Sequence, residues 1–351
     1  SRKPLFGYPV MILSGIFIGF MGFAVWSHHM FTTGLGPVAN TAFSITSFVI
    51  GIPTGVKVFN WLGTMWGGAI RFTTSMYYAM AFLFNFVLGG ITGIMLAMPP
   101  FDAQANSTYF VVAHFHYVMG GGALFAFFAG VYYWFPKFTG RMMNDRLGKV
   151  AFWFFFIGFN IIFMPQHFAG LMGMPRRIQT FEAGIGLELV NLISTAGTFV
   201  MLAGILLILA NVIQGFRAPK TAGNDPWDAR TLEWKTTSPP QHHNFDEQPI
   251  ALDRDALWAE KYPEHAHPDD ASAYEGMDFD QGGIHMPGQS WYPFAMAVGI
   301  LVASYGILFH NFVLAAIMGV FVVVTTYGWA FEGVGGHHVH PNKTAAEGAH
   351  D

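Results

Sequence analysis

The 351-residue sequence contains no cysteine. That excludes disulfides, thiolate-bound iron–sulfur clusters and any thiolate-bridged copper centre within the chain. Charge is scarce too. Asp, Glu, Lys and Arg make up 11% of the residues and hydrophobic types 53%, whereas a soluble domain carries about 25% charge. The net charge of −4 says little about partners, because the charges lie in loops and tails. No nucleic-acid partner is expected. What abounds instead is Phe (37), Gly (41) and Met (19), a mixture that suits helices packed closely in lipid. The composition is that of a polytopic membrane protein.

Apolar runs of roughly 20 residues, the length that crosses a bilayer, occur about eight times. They lie near Tyr8–Trp26, Val38–Phe59, Ser75–Met98, Tyr109–Phe135, Val150–Leu171, Leu187–Ile213, Pro293–Phe309 and Phe312–Phe331. Lipid-exposed backbone must pair within its own segment, so these runs are predicted to be helices. The expected fold is an all-α, polytopic helix bundle. Its expected parts are a six-helix membrane portion over 1–217, a polar linker over 218–289, a two-helix hairpin over 290–332 and a polar tail over 333–351. No small-residue cleavage site follows the first run, which therefore does not read as a signal peptide. Ser1-Arg2-Lys3-Pro4 reads as a loop.

Basic residues set the orientation. Arg2, Lys3, Arg71, Lys137, Arg141, Arg146, Lys149, Arg217 and Lys220 fall on one side if the helices alternate, and that side is expected to be cytoplasmic. Arg176 and Arg177 break the rule by falling in an outer loop. Guanidinium forks pair well with carboxylates, so a buried anion is one explanation, and two solvated loop arginines the other.

Four groups carry candidate chemistry. His28-His29 stands at the outer end of the first helix. Neighbouring helical residues project about 100° apart, so two imidazoles reach one metal only at a helix end or distortion; histidines facing water are the alternative. His114 and His116 lie within one apolar turn, pointing about 200° apart. Two cofactors flanking the helix would take one each, with Phe115 between them; satisfied core histidines are the alternative. Lys57 sits with Thr54 one turn earlier, either snorkelling to the cytoplasmic interface or lining a polar channel. The fourth group is the arginine pair.

The motifs that contain these residues resemble subunit I of the haem-copper oxidases. Trp26-Ser27-His28-His29-Met30-Phe31-Thr32 is similar to the family's copper-binding motif. Ile52 to Phe59 resembles the segment with the proton-channel lysine, here Lys57, with Thr54 beside it. Tyr109 to Tyr117 resembles the haem-binding motif, which implies that His114 is the axial ligand of the high-spin haem and His116 that of the low-spin haem. Pro165 to Arg177 resembles the outer segment whose arginines hold the haem propionates, and Asp102 stands where the family places a carboxylate near them. Asn224 to Pro240 and Ile284 to Pro287 resemble the linker of bacterial forms with two additional helices.

The resemblance implies a terminal respiratory oxidase that reduces O2 to water and translocates protons in a bacterial or archaeal plasma membrane. Its cofactors would be two haems, expected to be haem A, and an active-site copper. Electrons would come from cytochrome c, or from quinol in the alternative. The family's third copper-ligand histidine and second low-spin haem ligand lie on helices preceding this sequence. About six helices are accordingly expected in a missing amino-terminal part, with subunit II and its dinuclear copper centre and subunit III as further partners. Asn106-Ser107 replaces the His-Asp pair that serves a magnesium site in many of these oxidases, so a magnesium site is not carried over. A cytochrome b-like carrier would need paired histidines three to four turns apart on one helix, which are missing. A transporter would leave the four histidines unexplained.

Overall fold

The structure, a computed structural model, describes residues 1–245, 249, 251, 253–265, 284–333 and 335–339. The rest of the expected linker and tail lies outside the described residues. Two compact units emerge, one drawn from Ser1–Pro240 and Asp255–Ala266, the other from Gln241–Arg254 and His267–Asp351.

The first unit holds six membrane-length spans. They are α1 (Tyr8–Val25), extended by a tight 3₁₀ turn over Trp26–Met30; α2 (Pro37–Met65); α3 (Thr74–Leu96); a composite span over Tyr109–Thr139; α7 (Asp145–Leu171); and α8 (Glu188–Arg217). A short α4 (Pro99–Ala105) bridges α3 to the composite span. Helix starts carry residues that satisfy free backbone N–H groups or have none to leave free. Pro37 and Pro99 stand in first turns. The Thr73, Thr108 and Asn144 side chains accept from the backbones of Met76, Phe110, and Arg146 with Leu147.

The composite span departs from the single helix expected over Tyr109–Phe135. It runs as α5 (Tyr109–Phe115), a nine-residue π-helical stretch (His116–Leu124) and α6 (Phe125–Thr139). Gly120, Gly121 and Gly122 lie in the wide stretch. Gly121 lets it approach α3: a Cβ there would stand 2.7 Å from the Cβ of Asn85.

Aromatic side chains fill the core between α3, the composite span, α7 and α8. Tyr78, Tyr117, Phe125, Phe155 and Phe159 are essentially inaccessible. Glycines close the helix–helix distances, as expected where lipid removes the usual hydrophobic drive. The tightest case is Gly170 on α7, where a Cβ would fall 2.0 Å from the Phe110 backbone nitrogen of α5. Gly170→Ala must therefore push α7 and α5 apart, at a cost of about 1–3 kcal/mol for overpacking. A lower thermal midpoint of the purified protein in detergent checks this; an unchanged midpoint contradicts the packing.

The start of the linker folds onto the helices of this unit instead of standing free. Lys137, buried at the end of α6, donates to the carbonyls of Asn224 (3.0 Å), Thr236 (2.7 Å) and Thr237 (3.3 Å), and its ammonium lies 5.3 Å from the Trp234 ring centre. Trp227 stacks on Tyr133, and Arg2 pairs with Asp228 at 3.3 Å. The short helix α9 (Ala256–Lys261) adds Leu257 to this cluster.

The second unit contains α10 (Tyr292–Leu308) and α11 (Phe312–Ala330), joined at His310-Asn311. At 17 residues, α10 is near the lower limit for a span, so the eight expected spans appear as seven long helices and one short one. An antiparallel pair, β1 (Ile284–Pro287) with β2 (Gly336–Val339), is a small departure from an all-helical chain.

Candidate haem and copper site

His28 and His29 avoid the 100° divergence of neighbouring α-helical residues because they sit in the 3₁₀ turn that ends α1. Their Nε2 atoms lie 3.1 Å apart. The other ring nitrogen of His28, Nδ1, meets the Ser47 hydroxyl on α2 at 2.9 Å, and that hydroxyl donates to the Phe43 carbonyl at 2.6 Å. Ser47 is thus the acceptor, the His28 proton is on Nδ1, and Nε2 keeps its lone pair.

His114 stands in the last turn of α5, against α3. Its Nδ1–H donates to the Gly89 carbonyl at 2.9 Å and meets the Thr92 hydroxyl at 3.1 Å, again leaving Nε2 free. Gly93 supplies the room: a Cβ there would lie 2.8 Å from Cε1 of the ring. His116 opens the π-helical stretch and turns towards α7. Its Nδ1–H donates to the Val112 carbonyl at 2.8 Å, and its ring stacks on Phe163 with centres 4.1 Å apart. Phe115 lies against the same ring, 4.4 Å away. The two histidines therefore have different neighbours, as two-residue spacing predicts.

His28, His29 and His114 line one cavity of about 640 Å³, together with Thr54, Asp102 and Arg176. That volume lies within the range of large ligand sites, and Gly51, Gly55, Gly90 and Gly93 keep its wall low. Asp102 is buried on α4 and accepts from the Asn106 amide at 3.2 Å. Burial raises its carboxyl above the usual carboxylate range, opposed by that amide and by the nearby His29 and Arg176. The Arg176 Nε, on the cavity wall, is buried with no hydrogen-bond partner among the described residues.

Two expected placements differ. Lys57 and Thr54 do not share a wall. Thr54 lines the cavity, but the Lys57 ammonium donates to the Met11 carbonyl on α1 at 3.2 Å and is outside the lining. Residues three apart are still about 60° out of line around a helix, which is enough to face different neighbours. Arg177 is exposed, with φ of 65°, and does not line the cavity beside Arg176.

Ser47, Gly89, Thr92 and Gly93 escaped the sequence reading. The glycines offered a signal in Gly89-Gly90-Ile91-Thr92-Gly93, a small-residue face opposite a histidine-bearing helix. Ser47 offered none.

The donor set fits the implied groups. His114 and His116 each have one nitrogen fixed by a carbonyl and the other free, as axial ligands require. Two further imidazoles converge, a donor type that suits copper as it does zinc and iron.

The family model for cytochrome c and quinol oxidase polypeptide I matches residues 1–200. Cytochrome c oxidase subunit 1 of Bacillus sp. (strain PS3) is 49% identical over 312 residues, covering 89% of this chain and 50% of that one. Quinol oxidase subunit 1 of Bacillus spizizenii is 43% identical over 342 residues, covering 97% of this chain and 52% of the relative. The chain thus spans about half the length of these relatives. The cryo-EM structure of a heme-copper terminal oxidase dimer resembles 62% of this chain and 44% of its own, with a TM-score of 0.54 at 21% identity, which is a likeness of fold. With more than half of its residues matched by the family model, the chain belongs to the cytochrome c and quinol oxidase polypeptide I family, the subunit I of haem-copper oxidases.

Proposed function

We propose that this chain supplies part of the catalytic centre of a terminal respiratory oxidase, reducing O2 to water with electrons from cytochrome c and coupling the reaction to proton translocation. The chain is a multi-pass plasma-membrane protein with bacterial relatives. The observation that carries the reading is the convergence of His28, His29 and His114 on one cavity. In this reading His114 holds the high-spin haem, His116 the low-spin haem, and His28 and His29 the copper. Arg176 and Asp102 face the haem propionates, with Arg177 following at the outer surface and Phe115 between the two haems. When bound, the haems, of A type in this reading, and the copper supply electrons and coordination positions for oxygen.

The chain's own residues do the rest. Ser47 and Gly89 fix the tautomers of His28 and His114, so each free nitrogen carries a lone pair rather than a proton. The buried Arg176 Nε–H offers a charge-assisted hydrogen bond to a carboxylate at the cavity wall. Lys57 carries protons from the cytoplasmic side towards the cavity. The remaining copper and haem ligands come from further helices, with subunits II and III completing the enzyme.

Lys57→Met is expected to slow anaerobic reduction of the high-spin haem by about 10²-fold, the low end of what a positioned proton carrier contributes, while the low-spin haem is still reduced quickly. Stopped-flow spectra check this; normal high-spin kinetics would remove Lys57 from the mechanism.

Quinol is the second reading of the electron donor. The quinol oxidase relative aligns with 97% of the chain, against 89% for the cytochrome c oxidase. Oxygen uptake by the purified complex with reduced cytochrome c or with a quinol decides between them.

A further inference from the structure

The ammonium of Lys57 has a seat of its own on α1. Eight residues separate Lys57 from the end of α2 at Met65, about 12 Å along the helix. The side chain does not run that way. It crosses to α1 and donates to the Met11 carbonyl at 3.2 Å. Ser14, buried at 7% exposure, donates to the same carbonyl at 3.1 Å. Gly15 makes the slot: a Cβ there would stand 3.2 Å from Nζ and 3.5 Å from Cε of Lys57. Thr54, one turn away, faces the cavity, and the ammonium does not.

We propose that Met11, Ser14 and Gly15 form a resting seat that holds the Lys57 ammonium out of the cavity, and that leaving this seat limits how fast the lysine serves the site. The inference rests on the proton-carrying reading of Lys57. Gly15 and Ser14 are positioning residues in it, with opposite effects. A branched side chain at position 15, with atoms beyond Cβ, fills the slot and unseats the ammonium. Ser14 shares the carbonyl with the lysine and with the helical N–H of Gly15, so removing its hydroxyl takes away one competing donor and seats the lysine more firmly.

The test uses the whole oxidase complex and anaerobic stopped-flow reduction of the high-spin haem, with haem content and visible spectrum confirming assembly. Gly15→Val is expected to speed reduction and Ser14→Ala to slow it, each by roughly two- to tenfold, the span of one net hydrogen bond. In a Lys57→Met background neither substitution should change the rate further, since coupling through the lysine is all they alter. A cryo-EM structure of Gly15→Val should show Nζ away from the Met11 carbonyl. A merely structural role would slow both variants alike, and that result, or unchanged rates in both, overturns the seat. Ser14→Ala carries the test alone if Gly15→Val does not assemble, because unchanged or faster reduction in it also overturns the seat. Failure of Lys57→Met to slow reduction is a separate outcome and removes the underlying reading instead.

Discussion

A His114→Ala variant of the whole oxidase is expected to lose carbon monoxide binding while keeping the absorption of a low-spin haem, and His116→Ala is expected to do the reverse. The structure gives each imidazole a separate environment. His114 is tied to α3 through the Gly89 carbonyl and the Thr92 hydroxyl. His116 is tied to its own helix at Val112 and stacked on Phe163 of α7. Neither ring leans on the other, so removing one leaves the other's hydrogen bond and orientation in place. Carbon monoxide difference spectra with pyridine-haemochrome counts of haem per protein make the measurement. Loss of the same haem band first in both variants would show that the two residues serve one iron.

His28→Ala should take the copper-to-haem ratio close to zero with both haems largely retained. The two imidazoles present their Nε2 atoms to each other at 3.1 Å, and no cysteine stands in the chain to substitute. Ser47→Ala is the graded companion. It removes the acceptor that fixes the His28 tautomer, an outer contact whose loss typically lowers metal affinity about 10- to 100-fold. Copper should then be retained at saturation and stripped by a chelator at lower concentration. Unchanged copper in His28→Ala would end the assignment. Equal chelator resistance in Ser47→Ala would show that the hydroxyl does not orient the ring.

The helices and the four histidines were legible because each rests on a local pattern. Long apolar runs must be helical in lipid, and a histidine at membrane depth is costly enough to be conspicuous. What the sequence hid was set by contacts between distant segments. Nothing near His114 reveals that a carbonyl 25 residues earlier holds its ring. The π-helical stretch after His116 contains no proline, so the usual mark of a broken helix is missing. Lys57 and Thr54 have the spacing of a shared face, yet about 60° of residual rotation sends one to the cavity and the other to α1. The start of the linker looked merely polar, because the aromatic anchors Trp227 and Trp234 are isolated in sequence and meet Tyr133 only after folding.

The buried ammonium of Lys137 has a consequence for the order in which the protein is made. Its partners at Asn224, Thr236 and Thr237 lie 87 to 100 residues downstream. At typical synthesis rates of 5–20 residues per second, about 5–20 s pass between the appearance of the lysine and that of its last acceptor. During that interval α7 and α8 are synthesised, and the charge at the end of α6 is without these three acceptors. The inner end of the bundle therefore cannot set when its helices enter the membrane. It closes only when the first stretch of linker arrives, which makes that stretch the final fastening of the helices it follows.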